Sequence, residues 1–581
     1  MIRQILLLAL LCLAVDLWAQ TPEKFRNNQT LTYAEAIEGY RQLAKKHPQA
    51  KLLTYGATDS GKPLHLFMIS ANGRFAQNEI RKDGKVVLLI NNAIHAGEPC
   101  GVDASMKLAT DLLSAPEQLQ DQLAQVVIGI VPVYNIGGAL NRNCCTRANQ
   151  NGPEEYGFRG NAQNLDLNRD FIKADSKNAR SFARIIRELD PDVFVDTHTS
   201  NGADYQYNMT LIATQPDKLH PNLGNYLRTT MLPGLYGKME ADKEKMTPYV
   251  NSLGRTPDEA GIADFLDAPR YSTGYTALFE TIGFTTEAHM LKPFENRVMA
   301  TYTFLQNLID QCNEDYETIL FNRQKAKEMN RKLSAFPVAW TLDTTRFESL
   351  MFDGYEGKHK KSEVTGKKRL YYDRKSPYSK PIPYFNHYQP GPAIQVPEYY
   401  ILPQAWSAVA ERLLDHGVEV NKLKSDLRLD IDAYYIVSYE TRPKAYEGHH
   451  LHSDVKTRIE AQSLQFYAGD YVIPTDQAHR RLIVELLEPT GPDGYFAWNF
   501  FDPILMQKEW FSDYVFEETA AKLLAEDPAL KAEYEAFKVS KDFDRHWPLL
   551  YYIYQRSPHF EPGYNRYPVY RFSGNVALPI E

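Results

Sequence analysis

His95 and Glu98, three positions apart, follow Val86 to Ile90, an apolar run with the length of a β-strand. Strand ends in α/β sheets are where sites form, and a histidine and a carboxylate so spaced can both address one ion. Behind them, Val102 to Leu113 carries apolar residues at 102, 106, 109, 112 and 113, the spacing of a helix. His-x-x-Glu alone is a weak signal, because solvated loops also contain it. Three later stretches strengthen it. NLDLNRDF, residues 164–171, holds Asp166, Asn168 and Arg169. The run Asp192 to Thr197 ends at His198, and Gly283 to His289 carries Glu287 on a strand pattern. Arg169 offers a planar fork that suits a carboxylate, and a positioned glutamate is suited to moving a proton.

The elements that must hold these residues alternate along the chain. Tyr33 to Leu43 has helical spacing, and Leu52 to Ser60 and Pro63 to Ser70 read as paired strands around Asp59-Ser60-Gly61-Lys62. Val126 to Tyr134 is a buried-strand pattern. It leads into a long Asn-, Gly- and Arg-rich stretch, 141–163, of the kind that is functional or disordered. Ser176 to Leu189 predicts a helix capped by Ser176 and stopped before Pro191. Residues 200–275, rich in Gly, Pro and Tyr, are expected to wall the site, and one long helical pattern runs from Arg297 to Leu333. This alternation predicts an α/β domain with a parallel or mixed sheet.

Taken together, His95-x-x-Glu98, Asp166-x-Asn168-Arg169, His198 after a strand and strand-borne Glu287 stand in the order found in zinc carboxypeptidases. Over roughly residues 25 to 335 the chain resembles that family, as a secreted, bacterial-type member with a C-terminal accessory domain. The resemblance implies a mixed central sheet flanked by helices, and one Zn2+ per chain held by His95, Glu98 and His198. It places Asp166 behind His95; Asp196 is a second such carboxylate or a turn residue. It makes Asn168 and Arg169 the clamp for a free C-terminus and Glu287 the general base, with Glu280 as rival. Tyr271 and Tyr275 are the candidates for a tyrosine covering the site. The spacing of the oxyanion-stabilising arginine departs from the family, so Arg147 is chosen over Arg142 and Arg159. The implied function is hydrolysis of C-terminal peptide bonds. Amidase or carboxypeptidase action on peptidoglycan stem peptides is the close alternative, and an inactive peptide-binding relative is the alternative of another class. No G-x-S-x-G element supports a serine hydrolase.

At 581 residues more than one domain is expected, and a net charge of −8 gives no reason to propose nucleic acid as a partner. Arg3 before the apolar run Ile5 to Val15, with Ala19 before Gln20, reads as a signal peptide, residues 1–19, too short to span a bilayer. The mature protein is then expected to be secreted or periplasmic, without membrane insertion. Cys100, Cys144, Cys145 and Cys312 allow one or two disulfides of unspecified pairing, and no second cysteine cluster completes a soft-metal site. The catalytic domain is expected over residues 20–337. A linker and boundary follow over 338–397, with a basic run at 358–369 and five prolines from Pro381 to Pro397. An accessory α/β or α+β domain of unknown role is expected over 398–581, its Trp498-to-Phe501 run read as core and its His449-His450-x-His452 as a surface turn.

Overall fold

The computed structural model describes residues 23–574 and 577–581, so the expected signal peptide lies outside the described residues. An eight-stranded mixed sheet forms the first half: β1 (Ala50–Ala57), β2 (Pro63–Ile69), β3 (Val86–Asn91), β4 (Val126–Val131), β5 (Val193–Ser200), β6 (Met209–Ala213), β7 (Thr247–Pro248) and β8 (Ile282–His289). Their order is β1-β2-β4-β3-β5-β8-β6-β7. Strands β4, β3, β5 and β8 run parallel, while β1, β2 and β6 pair antiparallel.

Every residue of β3, β4 and β5 is buried, as near-continuous apolar runs require in a sheet covered on both faces. Val86, Leu88 and Ile90 face one layer, built from α1 (Tyr33–Lys46), α2 (Cys100–Ser114), α4 (Phe294–Glu314) and α5 (Tyr316–Asn330). Val87 and Leu89 face the other, where α3 (Lys177–Leu189) packs. Thr32 and Glu35 cap α1 reciprocally. The Ser176 hydroxyl accepts the Ala179 N–H at the start of α3 (3.0 Å), as its sequence predicts. The single helix expected over Arg297 to Leu333 is instead two, α4 and α5, parted at Asp315.

The stretch expected as linker and boundary holds a long antiparallel hairpin, Glu348–Lys361 with Lys368–Phe385. Its base adds to the first half, with Tyr384 and Phe385 pairing Ile262 and Ala263, and Phe352 and Ile382 packing on Tyr205 and Tyr207. The basic run is the tip of this hairpin. Lysine-rich composition hid an alternating strand pattern there.

Beyond it lies a six-stranded antiparallel sheet in the order Asn421–Lys422, Tyr471–Pro474, Tyr399–Leu402, Tyr570–Phe572, Leu427–Thr441, His452–Phe466. Tyr400, Leu402, Val409, Leu413, Ile436, Leu482 and Leu486 from this part join Leu64, Leu66, Val87 and Phe182 in one apolar cluster. The two halves therefore share a core, and hydrophobic burial resists their separation. Cys144 and Cys145 form a disulfide with each other, while Cys100 and Cys312 are buried thiols. No helix among the described residues is long and apolar enough to cross a membrane.

Candidate metal centre and active site

Strand β3 ends at Asn91, and the chain turns through Ala93 in the left-handed region (φ 54°) to bring His95 back over the sheet. Glu98 N–H donates to His95 O (2.9 Å), closing one turn that puts both side chains on one side. Gly101 lets α2 approach β5: a Cβ there would collide with Thr197. His198 lies near the end of β5, and register sets Glu287 of β8 directly beside it. Four residues from three distant segments thus meet at one rim of the sheet.

Ligand atoms of His95, Glu98 and His198 all lie within 4.8 Å of one another, and the three side chains are buried. His95 Nε2 donates to Asp166 Oδ1 (3.0 Å), which leaves Nδ1 with a lone pair toward Glu98 and no hydrogen-bond partner. His198 Nδ1 is 3.3 Å from Glu98 Oε2, and its Nε2 is 3.0 Å from Asp196 Oδ2. A buried imidazole nitrogen without a partner is costly unless something else takes its lone pair. Nitrogen, nitrogen and carboxylate donors so arranged fit a zinc ion. Asp166 and Asp196 stand where carboxylates could orient metal-binding imidazoles; Asp196, left open in the sequence, is held in turn by Asn91 Nδ2 (3.0 Å).

Charge is concentrated here. Burial works against the Glu98 carboxylate, but Arg147 and the imidazoles outweigh it and hold Glu98 well below the usual carboxylate range. Asp166 is likewise held low, with burial outweighed by His95, Arg159 and Arg169. Burial pushes Glu287 the other way, up to about 7, against the pull of His198. The two carboxylates of one site are thus pushed in opposite directions by their surroundings.

The cleft of about 480 Å³ over this centre is lined by His95, Glu98, Asn168, Arg169, His198 and Glu287, as their motifs predict. Arg147, Arg159 and Tyr271 also line it. Arg147 donates from each of its three nitrogens, Nε to Gln150 (2.6 Å), Nη1 to Glu98 (2.7 Å) and Nη2 to Thr199 O (3.1 Å), with one hydrogen left on each Nη. Arg159 braces Asp166 through Nε and Nη2, while its Nη1 makes a longer contact to Glu98 Oε1 (3.5 Å). Its side chain is 45% exposed against 16% for Arg147. Arg142 donates to Glu155 O and is absent from the lining.

Arg169 does not pair with Asp170, which is taken by buried Lys173 (2.7 Å). Its guanidinium lies 4.5 Å over the Tyr271 ring, with Nη1 donating to Asn168 O (2.8 Å). Tyr275, expected near the site, is fully buried away from the cleft and bonded to His416 Nδ1 (2.8 Å). It lies among Phe171 and Phe279 because the short helix Ser272–Thr276 turns that face into the core. Glu280 is buried in a left-handed turn (φ 58°), bonded by Asn330 and outside the cleft. Tyr249, Ile212, Phe265, Thr273 and Thr285 line the cleft without having been singled out; only the expectation that 200–275 walls the site pointed to four of them. The three histidines of the C-terminal turn form no cluster, bonding separately to Asp175, Arg442 O and Asp502.

Residues 37–226 match the zinc carboxypeptidase family, a span that includes every one of these site residues up to His198 but not Glu287. Carboxypeptidase 2 of Trichophyton rubrum is 23% identical over 490 residues, 80% of this chain and 84% of its own. Carboxypeptidase 2 of Trichophyton tonsurans is 22% identical over 494 residues, with the same coverage. A match over 80% of the chain necessarily runs past residue 337. A metallo-carboxypeptidase structure from Burkholderia cenocepacia aligns at 15% identity with a TM-score of 0.37, covering 49% of this chain and 70% of that one. Part of the first half of the chain therefore matches the zinc carboxypeptidase family, and the chain is similar over most of its length to proteins named carboxypeptidase 2.

Proposed function

We propose that this protein is an exported exopeptidase that removes C-terminal residues from peptides, acting through the cleft at the rim of the central sheet. The observation that carries the reading is the meeting of three kinds of group in one cleft: the His95–Glu98–His198 set, Glu287, and the Asn168–Arg169 pair. Zinc held by the first set supplies a lowered water pKa and a polarised carbonyl. Glu287 takes a proton from the attacking water and passes it to the leaving amine, a role its burial favours because the acid form is then accessible near neutral pH. Arg169 reads the terminal carboxylate with the hydrogens left free on its Nη atoms, and Tyr271 packs against the guanidinium face. Arg159 faces the developing oxyanion in place of Arg147, which is less exposed and held closer to Glu98 (2.7 Å against 3.5 Å). Export rests on the signal-like first 19 residues.

The test is metal content with turnover. The purified protein should hold about one zinc per chain, chelation should abolish hydrolysis, and His198→Ala should lose the metal. Full hydrolysis by metal-free protein would overturn the reading.

A further inference from the structure

The hairpin Leu427–Thr441 with His452–Phe466 carries a loop that reaches out of the C-terminal sheet. The loop ends in a two-residue turn, closed by Tyr446 N–H to His449 O (2.7 Å) and His449 N–H to Tyr446 O (3.1 Å). Glu447 (φ 51°) and Gly448 (φ 82°) both lie in the left-handed region, as a tight turn of this kind demands. For glutamate that conformation is unfavourable, so its side chain is placed there against a backbone preference.

What the turn touches is the motif that supplies the clamp. The Tyr446 hydroxyl accepts from Arg169 Nε (2.9 Å). Glu447 Oε2 accepts the Asp166 N–H (2.7 Å), and His449 Nε2 is 2.7 Å from Asp175 Oδ2. The turn is itself held rigid. The Tyr446 ring stacks on fully buried Trp498 (14° between planes), with the Arg442 guanidinium 4.6 Å from the Tyr446 ring. Arg270 lies 5.0 Å over Trp498 and pairs with buried Asp493.

We infer that Tyr446 and Glu447 are positioning residues of the cleft, so that the C-terminal region completes the carboxylate clamp and the support of His95. The inference rests on the reading of Arg169 as that clamp. Neither residue lines the cleft, so neither is catalytic. Tyr446 takes the Nε–H and Asn168 O takes one Nη1 hydrogen, which fixes the guanidinium plane and leaves its far edge for a ligand. Glu447 pins the backbone of the residue whose carboxylate orients His95.

A double-mutant cycle on the full chain tests this with one peptide as free acid and as C-terminal amide. Tyr446→Phe removes a single oxygen and should keep the zinc and the melting temperature. It should raise KM for the acid about 10-fold, the worth of one hydrogen bond to a charged group, with kcat nearly unchanged. The amide should not respond, and the effect should vanish in the Arg169→Ala background. Glu447→Ala should instead lower kcat, with recovery in Glu447→Gln, whose amide oxygen can accept the same N–H. If Tyr446→Phe impairs acid and amide alike, or adds fully to Arg169→Ala, the contact is merely structural and the inference falls. If Arg169→Ala leaves the acid preference intact, the clamp reading itself falls and takes this inference with it. If Arg169→Ala abolishes that preference and Tyr446→Phe does nothing, only this inference falls.

Discussion

The rim of the central sheet and the turn of the C-terminal hairpin are both dense in polar side chains, but they use them in opposite ways. At the rim, His95, Glu98, His198 and Asp196 are buried, and His95 Nδ1 keeps a lone pair with no partner. At the turn, the Tyr446 hydroxyl, the Glu447 carboxylate and the His449 imidazole are each spent on the neighbouring loop. Buried donors and acceptors that remain uncommitted mark a place for something else to bind. Committed ones mark support. A milder contrast separates Arg159, 45% exposed and 3.5 Å from Glu98, from Arg147, 16% exposed and 2.7 Å from it.

The largest expected effect lies on the uncommitted side. Glu287→Gln should cut kcat by about 10²–10⁴-fold, the range for loss of a general base, while metal analysis finds zinc still bound. The acid limb of kcat/KM should lie at or below about pH 7, the value burial gives this carboxyl before a cation pulls it down. Equal loss of zinc in Glu287→Gln and His198→Ala would break the distinction between base and ligand.

The arginine pair comes next. Arg159→Ala should lower kcat by about 10²–10³-fold, as loss of an oxyanion donor does, with zinc retained. Arg147→Ala should weaken zinc binding by about 10–100-fold, as loss of a group supporting a ligand does. Isothermal titration and steady-state kinetics on both variants separate the roles, and the reverse pattern would return the oxyanion role to Arg147.

A third prediction concerns stability alone. Burial raises the Asp190 carboxyl, but Arg323 and Lys327 outweigh it and hold it below the usual range. A depressed folded pKa contributes stability that is present above the unfolded value of about 3.9 and is lost as pH falls toward the folded one. Asp190→Asn should therefore be less stable than the natural chain at pH 6, with the gap in melting temperature narrowing below about pH 4. A constant gap would show that packing, not charge, is what the variant loses. The smallest effect belongs to Thr32→Ala, which removes the cap of α1 and should cost about 0.5–2 kcal/mol in denaturant unfolding. It should leave kcat/KM unchanged, because Thr32 lies outside the cleft.

Much of this was legible in the chain because the chemistry sits at strand ends. His95, His198 and Glu287 each follow an apolar run that announces its strand, and sheet register then brings them together. The Asp166-to-Arg169 motif was legible because four adjacent residues carry it. Tyr275 misled because 37 tyrosines make any one of them uninformative and a single turn of helix decides which face is buried. The sequence favoured Arg147 over Arg159, because the exposure and the distance from Glu98 that separate them come from the fold of the loop. The hairpin over 348–385 was hidden under lysines, and the shared core with the C-terminal sheet joins residues hundreds of positions apart. Contacts such as Glu447 to Asp166, 281 positions apart, leave no local pattern.

The central claim is that the cleft reads a free C-terminus beside a hydrolytic centre. The most direct measurement is kcat/KM for one peptide as acid and as amide, with products identified by mass spectrometry. Loss of the charge that Arg169 pairs with should cost about 2–5 kcal/mol, or roughly 30- to several-thousand-fold, and the acid should yield a peptide shortened by one C-terminal residue. Equal rates on acid and amide, or cleavage at internal bonds, would contradict the account even with zinc bound.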